Sequence, residues 1–510
     1  MMKLPPLSFM LAALAALLSS VAKAADAPFK PSSPFGFGWG ILYGYQGEPA
    51  PEFMSDVRSL GAGCGKVYLY WQQIEPEPGQ FDWSALDAFV DQLNSPEEGV
   101  IMLFSSSRWA AEHPSTMLPA SPAKDLEAYY TFVHETVKHC GGRVRYWQND
   151  IEPNSPAYWS GTKEQYAAQL RVFYRAVKDA DPDAQVILGG YDGLFVPPGT
   201  TIGGSGPIPP VPGQEHGLAF FEYLLQEAGD AFDLFDLRLY LSPYLIRPRV
   251  AYIRQRMRAL GCEQPIICGE YGGPGFFDFA ENARYAPLAT ATLQNMAQPD
   301  VNGSPRVSQE TSRAIAQMYD DMASLAPQTQ MFMQGCPPEL EAKFRRIQAR
   351  NLVMQNVFAL SAGIKQSFYW QLSPVPNERD DMMMLMFGKF NLLQRAGDSL
   401  QRTLSADAFA RMTKVLAGVQ SVERVPLADN PSIYLFAVDR GVRGPAYVVW
   451  DFREPYSGED APPVPCAWPL DWKTVHARDA LGEAVAAAIT DGVVRLPVGV
   501  TPVYLTPDAQ

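Results

Sequence analysis

The sequence predicts an α/β fold, a (β/α)8 barrel followed by a small C-terminal antiparallel β-sandwich. Three observations point there. Short apolar runs recur eight times, and most are followed by an amphipathic stretch. These runs are almost continuously apolar, the pattern of strands buried on both faces of a parallel sheet. Beyond Phe409 the pattern changes to short alternating strands separated by Gly and Pro, without long helices. Eight strand–helix units favour a closed barrel over an open doubly wound sheet.

The strand candidates in order are 35–43, 66–71 (KVYLYW), 100–104 (VIMLF), 144–149 (VRYWQN), 185–189 (QVILG), 234–240 (LFDLRLY), 265–269 (PIICG) and 364–370 (IKQSFYW). Apolar residues at helical spacing place helices at 84–93, 124–137, 164–177, 218–228, 250–260 and 343–360, and the helix that follows the eighth strand lies near 407–419. Residues 276–338 form a long insertion after the seventh strand, where such barrels diversify and where a segment can wall a cleft. Strands at 433–438, 446–452, 493–497 and 503–505 read as the antiparallel module, with Pro462-Pro463-Val464-Pro465 as a separator.

The start of the chain has its own signature. A short basic start and the apolar run 9–18 precede Ala22-Lys23-Ala24, the small-residue spacing of a secretory signal cleaved after residue 24. The run is too short for a membrane anchor, so the expected product is secreted or periplasmic. The expected domains are a signal peptide at 1–24, a barrel at 25–420 and a β-sandwich at 421–510. A net charge of -14 argues against a nucleic-acid partner, because a phosphate backbone needs a basic face. Six Cys in an exported chain allow one or more disulfides, with Cys262 and Cys268 the nearest pair. His134 and His139 lie five apart, off the i, i+4 spacing of a helical ligand pair, and no metal or cofactor is implied.

In a (β/α)8 barrel the chemistry sits at the C-terminal strand ends. The fourth strand runs into Asp150-Ile151-Glu152-Pro153-Asn154 and the seventh into Glu270-Tyr271-Gly272-Gly273. Glu152 and Glu270 are 118 residues apart, so only the barrel brings them together. Two carboxyls about 5–5.5 Å apart across a glycosidic bond are what a retaining glycosidase requires. Glu-Pro alone carries no information, since it also occurs at Glu48, Glu75, Glu77 and Glu454. Position after a strand is what singles out this pair.

These motifs resemble those of the clan A glycoside hydrolases, and most of all glycoside hydrolase family 39. The stretch Trp71 to Trp83 (WQQIEPEPGQFDW) resembles their turn after strand two, and Trp147 to Asn154 their strand-four motif. Cys268 to Gly272 resembles the strand-seven motif, Phe368-Tyr369-Trp370 the strand-eight tryptophan, and Gly499 to Leu505 the closing strand of the C-terminal sandwich. The resemblance implies Glu152 as acid/base and Glu270 as nucleophile on an oligo- or polysaccharide.

Two residues depart from that family. It carries Asn immediately before the acid/base, where the amide binds the sugar 2-OH, but here the position is Ile151. Three readings are open: Asn149 or Asn154 takes over the contact, the substrate lacks a free 2-OH, or activity is weakened and the protein is a carbohydrate-binding scaffold. Arg238 stands where relatives often have His. Pairing with Asp236 or a catalytic Glu is the favoured role for it, and Tyr240 is placed to hydrogen-bond the nucleophile.

Aromatic faces stack on the apolar C–H faces of pyranose rings. Trp71, Trp109, Trp159 and Trp370 lie at strand ends or just beyond, with Trp370 the leading subsite candidate and Trp109 next. Arg108 is a weaker candidate for a sugar hydroxyl. Rival chemistries fail on spacing. Gly203-Gly204-Ser205-Gly206-Pro207 lacks the last glycine of a nucleophile elbow, and Gly36-Phe37-Gly38-Trp39-Gly40 is no dinucleotide fingerprint.

Overall fold

A computed structural model describes residues 33–38, 50–202, 207–211, 213–296, 308–374, 382–397 and 399–507. The signal peptide at 1–24 and the end of the first strand candidate lie outside the described residues.

Eight strands form one parallel sheet: β1 (Phe35–Gly38), β2 (Cys64–Tyr70), β3 (Gly99–Phe104), β4 (Tyr146–Asn149), β5 (Gln185–Ile187), β6 (Phe235–Asp236), β7 (Ile266–Tyr271) and β8 (Ser367–Tyr369). Their spatial order is β5-β4-β3-β2-β1-β8-β7-β6. The bridges Ile187 to Leu234 and Tyr191 to Leu237 join the two ends, so the sheet is a closed barrel. Helices α1 (Phe53–Ser59), α2 (Ser84–Val90), α3 (Leu126–Cys140), α4 (Lys163–Ala180), α5 (Gln214–Ala228) and α6 (Ile246–Ala259) alternate with the strands. Their ends are written in sequence. Thr162 and Gln165 form a capping box on α4, and Gly141 closes α3 at φ 55°.

The barrel interior is layered, because alternate residues of a strand face the same side. At the bottom Cys64, Val100, Tyr146, Ile187, Leu234, Ile267 and Phe368 form one apolar cluster. Two residues further along, three of these strands turn polar, with Lys66, Gln148 and Asp236 all buried.

The insertion after β7 holds α7 (Ala286–Met296) and α8 (Gln309–Asp320). It builds a core of its own: Phe276, Phe279, Ile315, Met331 and Phe332 pack with Phe344 and with Met382 and Leu385. Phe344 belongs to α9 (Pro338–Ser361), and the last two belong to α10 (Met382–Phe387), which follows β8. The helix expected from Lys343 therefore starts at Pro338, since the first turn of a helix accepts proline.

A hairpin of β9 (Leu393–Ala396) and β10 (Ser399–Arg402) precedes α11 (Leu404–Val415). The C-terminal sandwich comprises β11 (Ser421–Val425), β12 (Ile433–Asp439), β13 (Ala446–Asp451), β14 (Val464–Pro469), β15 (His476–Asp479), β16 (Ala488–Thr490), β17 (Val493–Val498) and β18 (Val503–Thr506). Sheets β11-β12-β13-β18-β15 and β14-β17-β16 enclose a core of Ile433, Leu435, Val449, Trp468, Val494 and Leu496. The expected separator at Pro462 to Pro465 runs into a strand: Pro465 pairs opposite Pro497 in β14. As a sheet edge, β14 tolerates proline.

The other face of the larger sheet packs on the barrel. Trp450 stacks on Tyr434 and Phe436, meets Phe358 of α9 edge-on, and donates its Nε1–H to the Tyr244 hydroxyl at 2.9 Å. Glu459 pairs with Arg346 at 2.8 Å and with Arg350 at 2.6 Å, both on α9.

The cysteines correct an expectation: all six are free and buried, so Cys262 and Cys268 form no disulfide. Cys262 follows α6 on the barrel exterior, with its thiol on the Leu225 carbonyl at 3.7 Å. Cys268 lies within β7, with its thiol on the Glu270 carbonyl at 3.2 Å. Among the described residues no helix is long and apolar enough to cross a membrane.

Candidate active site

Glu270 lies within β7, one residue from its end, rather than beyond it. The β7–β8 pairing shifts register between Cys268 and Tyr271. A side chain added at Gly269 would run into the Asp236 carboxylate, and Glu270 itself reaches Tyr68 and Tyr240. Two consecutive residues thus face the barrel interior. An irregularity of this kind breaks strand alternation and re-aims a side chain.

The interior side of Glu270 is crowded with donors. Oε1 accepts the Tyr68 hydroxyl and is ion-paired to the Arg238 guanidinium, with Lys66 Nζ at 3.9 Å. Oε2 accepts the Tyr240 hydroxyl at 3.1 Å. Asp236 holds this array from below: it accepts Gln148 Nε2 at 2.7 Å and the Gly269 N–H at 2.6 Å, and lies 3.3 Å from Arg238 Nε.

Glu152 stands three residues beyond Asn149, the last residue of β4. The chain leaves the strand with Asp150 at φ 49° and Glu152 at φ 40°, a left-handed backbone that non-glycine residues rarely adopt. Such conformations persist where their surroundings hold them, and often at functional sites. Ser105 supplies that hold, bonding Asp150 through its N–H at 2.8 Å and its hydroxyl at 3.1 Å. Asp150 is wholly buried, and burial pushes its carboxyl up to about 7 against these bonds.

The two glutamates are driven in opposite directions. Burial raises the Glu152 carboxyl well above its ordinary value; Arg238 offsets part of this, and the charge of Glu270 adds to it. Burial acts on Glu270 too, but Arg238 and Lys66, with hydrogen bonds from Tyr68 and Arg238, hold it below its ordinary value. Lys66 is itself pushed down to about 8, by burial and by Arg238. The pair is therefore biased towards one protonated and one ionised carboxyl, the division a double displacement uses.

The remaining candidates divide. Tyr240 donates its hydroxyl to Glu270, and Arg238 pairs with both Asp236 and Glu270. Trp370 is half-buried, edge-on to Phe387 and Phe390, and Phe387 also contacts Tyr240. Trp109 is half-buried, with its Nε1–H on the Glu75 carbonyl at 2.9 Å.

Trp71 is a correction. It is fully buried, stacked on Phe132 with its Nε1–H on Glu75 at 2.7 Å, so no ring face is left for a sugar. Asn149 is another: it is fully buried, and its amide donates to the Tyr129 hydroxyl at 2.7 Å and to Asp150 at 3.2 Å. Asn154 is tied to Asp192, whose N–H it accepts at 3.3 Å. Trp159 is buried, and Arg108 is exposed at the surface.

Sequence reasoning missed Lys66, Tyr68 and Gln148. The available signal was alternation: a Lys and a Gln on the interior-facing register of apolar strands need a buried partner.

No protein-family model matches the chain. Its fold is similar to that of several solved structures. One is a family 39 glycoside hydrolase from Bacteroides cellulosilyticus, 15% identical with a TM-score of 0.61, covering 94% of this chain and 81% of that one. A monomeric β-xylosidase from Caulobacter crescentus is 14% identical with a TM-score of 0.54, covering 93% and 95%. A family 51 α-L-arabinofuranosidase from Bifidobacterium longum is 12% identical with a TM-score of 0.54, covering 94% and 96%. At these identities the likeness establishes a shared fold, a (β/α)8 barrel with a C-terminal β-sandwich.

Proposed function

We propose that the chain is an exported retaining glycoside hydrolase that cleaves O-glycosidic, β-configured bonds of an oligo- or polysaccharide. The observation that carries this reading is the pair of buried carboxyls beyond β4 and at the end of β7, one biased to stay protonated and the other ionised. Glu152 protonates the leaving oxygen while Glu270 attacks the anomeric carbon; Glu152 then takes a proton from the water that releases the sugar. Tyr240 orients the nucleophile, and Trp370 and Trp109 offer ring edges and faces to the substrate. Export rests on the signal-like residues 1–24, and the catalytic unit is the barrel at 25–420 with the sandwich at 421–510 attached.

One observation favours a second reading, a carbohydrate-binding scaffold with a weakened site. Ile151 has no amide, and the Asn149 amide is committed elsewhere. A panel of β-linked oligosaccharides assayed with wild type, Glu152→Ala and Glu270→Ala separates the two. The glycosidase reading expects cleavage by wild type and losses of about 10²–10⁴-fold in each variant. Glycan binding without cleavage by wild type selects the scaffold reading. A proton NMR time course checks the stereochemistry, with the retained anomer expected first.

A further inference from the structure

Arg238 occupies space that two glycines leave for it and its partner. A side chain at Gly190 would collide with the Arg238 guanidinium, and one at Gly269 with the Asp236 carboxylate. Arg238 and Asp236 are both fully buried. Their charges meet at 3.3 Å, and the far end of the guanidinium lies on Glu270 Oε1, which the Tyr68 hydroxyl also reaches. Oε2 carries a single protein donor among the described residues, the Tyr240 hydroxyl at 3.1 Å.

We propose that the Arg238–Asp236 pair, seated in the space left by Gly190 and Gly269, is a positioning device that locks Oε1 of Glu270 and leaves Oε2 as the attacking atom. The glycosyl bond therefore forms to Oε2, with the carboxylate's electron pair, as the leaving group departs with the proton of Glu152. Oε1 stays on Arg238 and Tyr68 throughout. Arg238 does not touch the sugar in this scheme; it acts through the nucleophile. A lysine would supply the charge without the planar fork that spans Asp236 and Glu270 together. The assignment of Glu270 as nucleophile rests on the glycosidase reading, but the device itself can be tested without turnover.

The test has two arms. In the first, carboxyl-carbon NMR follows the titration of Glu270, identified as the signal lost in Glu270→Gln. The groups facing it are Lys66 and Tyr68 from β2, Glu152 beyond β4, and Asp236, Arg238 and Tyr240 from β6 and its exit. Replacing the pair together, Arg238→Met with Asp236→Asn, avoids leaving one buried charge alone. The Glu270 titration is expected to move up by about one pH unit or more, and to stay near its wild-type position in Arg238→Lys. An unmoved titration in the double variant overturns the proposal. The second arm needs no variant: a structure of the wild-type protein trapped with an activated 2-deoxy-2-fluoroglycoside. An ester through Oε2 is expected, and an ester through Oε1 overturns the assignment. If wild type forms no ester and cleaves no glycoside, the glycosidase reading fails while the first arm still decides the positioning role.

Discussion

The same side chain is pushed in opposite directions at two places in this site. Among the described residues no cation is ion-paired with Glu152, so burial wins and its carboxyl is raised well above its ordinary value. Glu270 is equally buried but sits against Arg238 and near Lys66, and these cations win. The pH dependence follows from the signs. With the proposed roles, activity is expected to be gained as Glu270 ionises, below the usual carboxylate value of about 4, and lost as Glu152 gives up its proton, well above it. The profile of kcat/KM against pH is expected to be level across the span between the two titrations, which opens below the usual carboxylate value of about 4 and extends well above it. A steep loss within that span would count against the assignment of roles. Ile151 gives a second prediction. A side-chain amide at position 151 is not replaced by Asn149, which is committed to Tyr129, nor by Asn154, which is tied to Asp192. Ile151→Asn is expected to raise kcat/KM for a glycoside with a free 2-hydroxyl by about 1 kcal/mol, roughly fivefold, and to leave its 2-deoxy analogue unchanged. Paired assays on the two substrates measure the difference directly.

At the scale of elements, the barrel strands and helices were legible because their apolar periodicity is strong. The sequence pattern ends the seventh strand at Gly269, two residues short, which puts Glu270 beyond the strand instead of inside it. Register shifts leave no trace in composition, so the inward turn of both Gly269 and Glu270 was hidden. Strands β11, β15 and β16 were missed because their partly exposed faces dilute the apolar signal. Trp71 misled for the opposite reason: a tryptophan at a strand end looks the same in sequence whether it lines a cleft or plugs a core. The joint between α9 and the sandwich makes its own prediction. Arg346 and Arg350 hold the Glu459 carboxyl down to about 2 against the opposing effect of burial. A depressed carboxyl contributes stability above its unfolded value of about 4 and loses it as the pH falls towards the folded value. The fall in Tm between about pH 6 and pH 3 is therefore expected to be smaller in Glu459→Gln than in wild type. Calorimetry at the two pH values reads it, and an equal fall in both proteins would show that the joint carries no such linkage.

Across the whole molecule, one core runs from the barrel into the sandwich: Phe358 and Val357 of α9 belong to the same cluster as Phe436, Val448 and Trp450. The β-sandwich is thus a buttress behind α9, the helix that leads into β8 and Trp370. The insertion adds a second core at its own site, joined to α9 through Phe344 and to the segment after β8 through Met382 and Leu385. That segment carries Phe387 against Trp370 and Tyr240, so the packing of the insertion reaches the side chains around Glu270. We propose that this assembly presents Glu270 to an anomeric carbon. Mass mapping after incubation with a panel of activated 2-deoxy-2-fluoroglycosides tests it most directly. The account predicts one glycosyl group on the peptide that holds Glu270, absent in Glu270→Gln; a label on any other residue, or turnover of the panel with no label on Glu270, would contradict it.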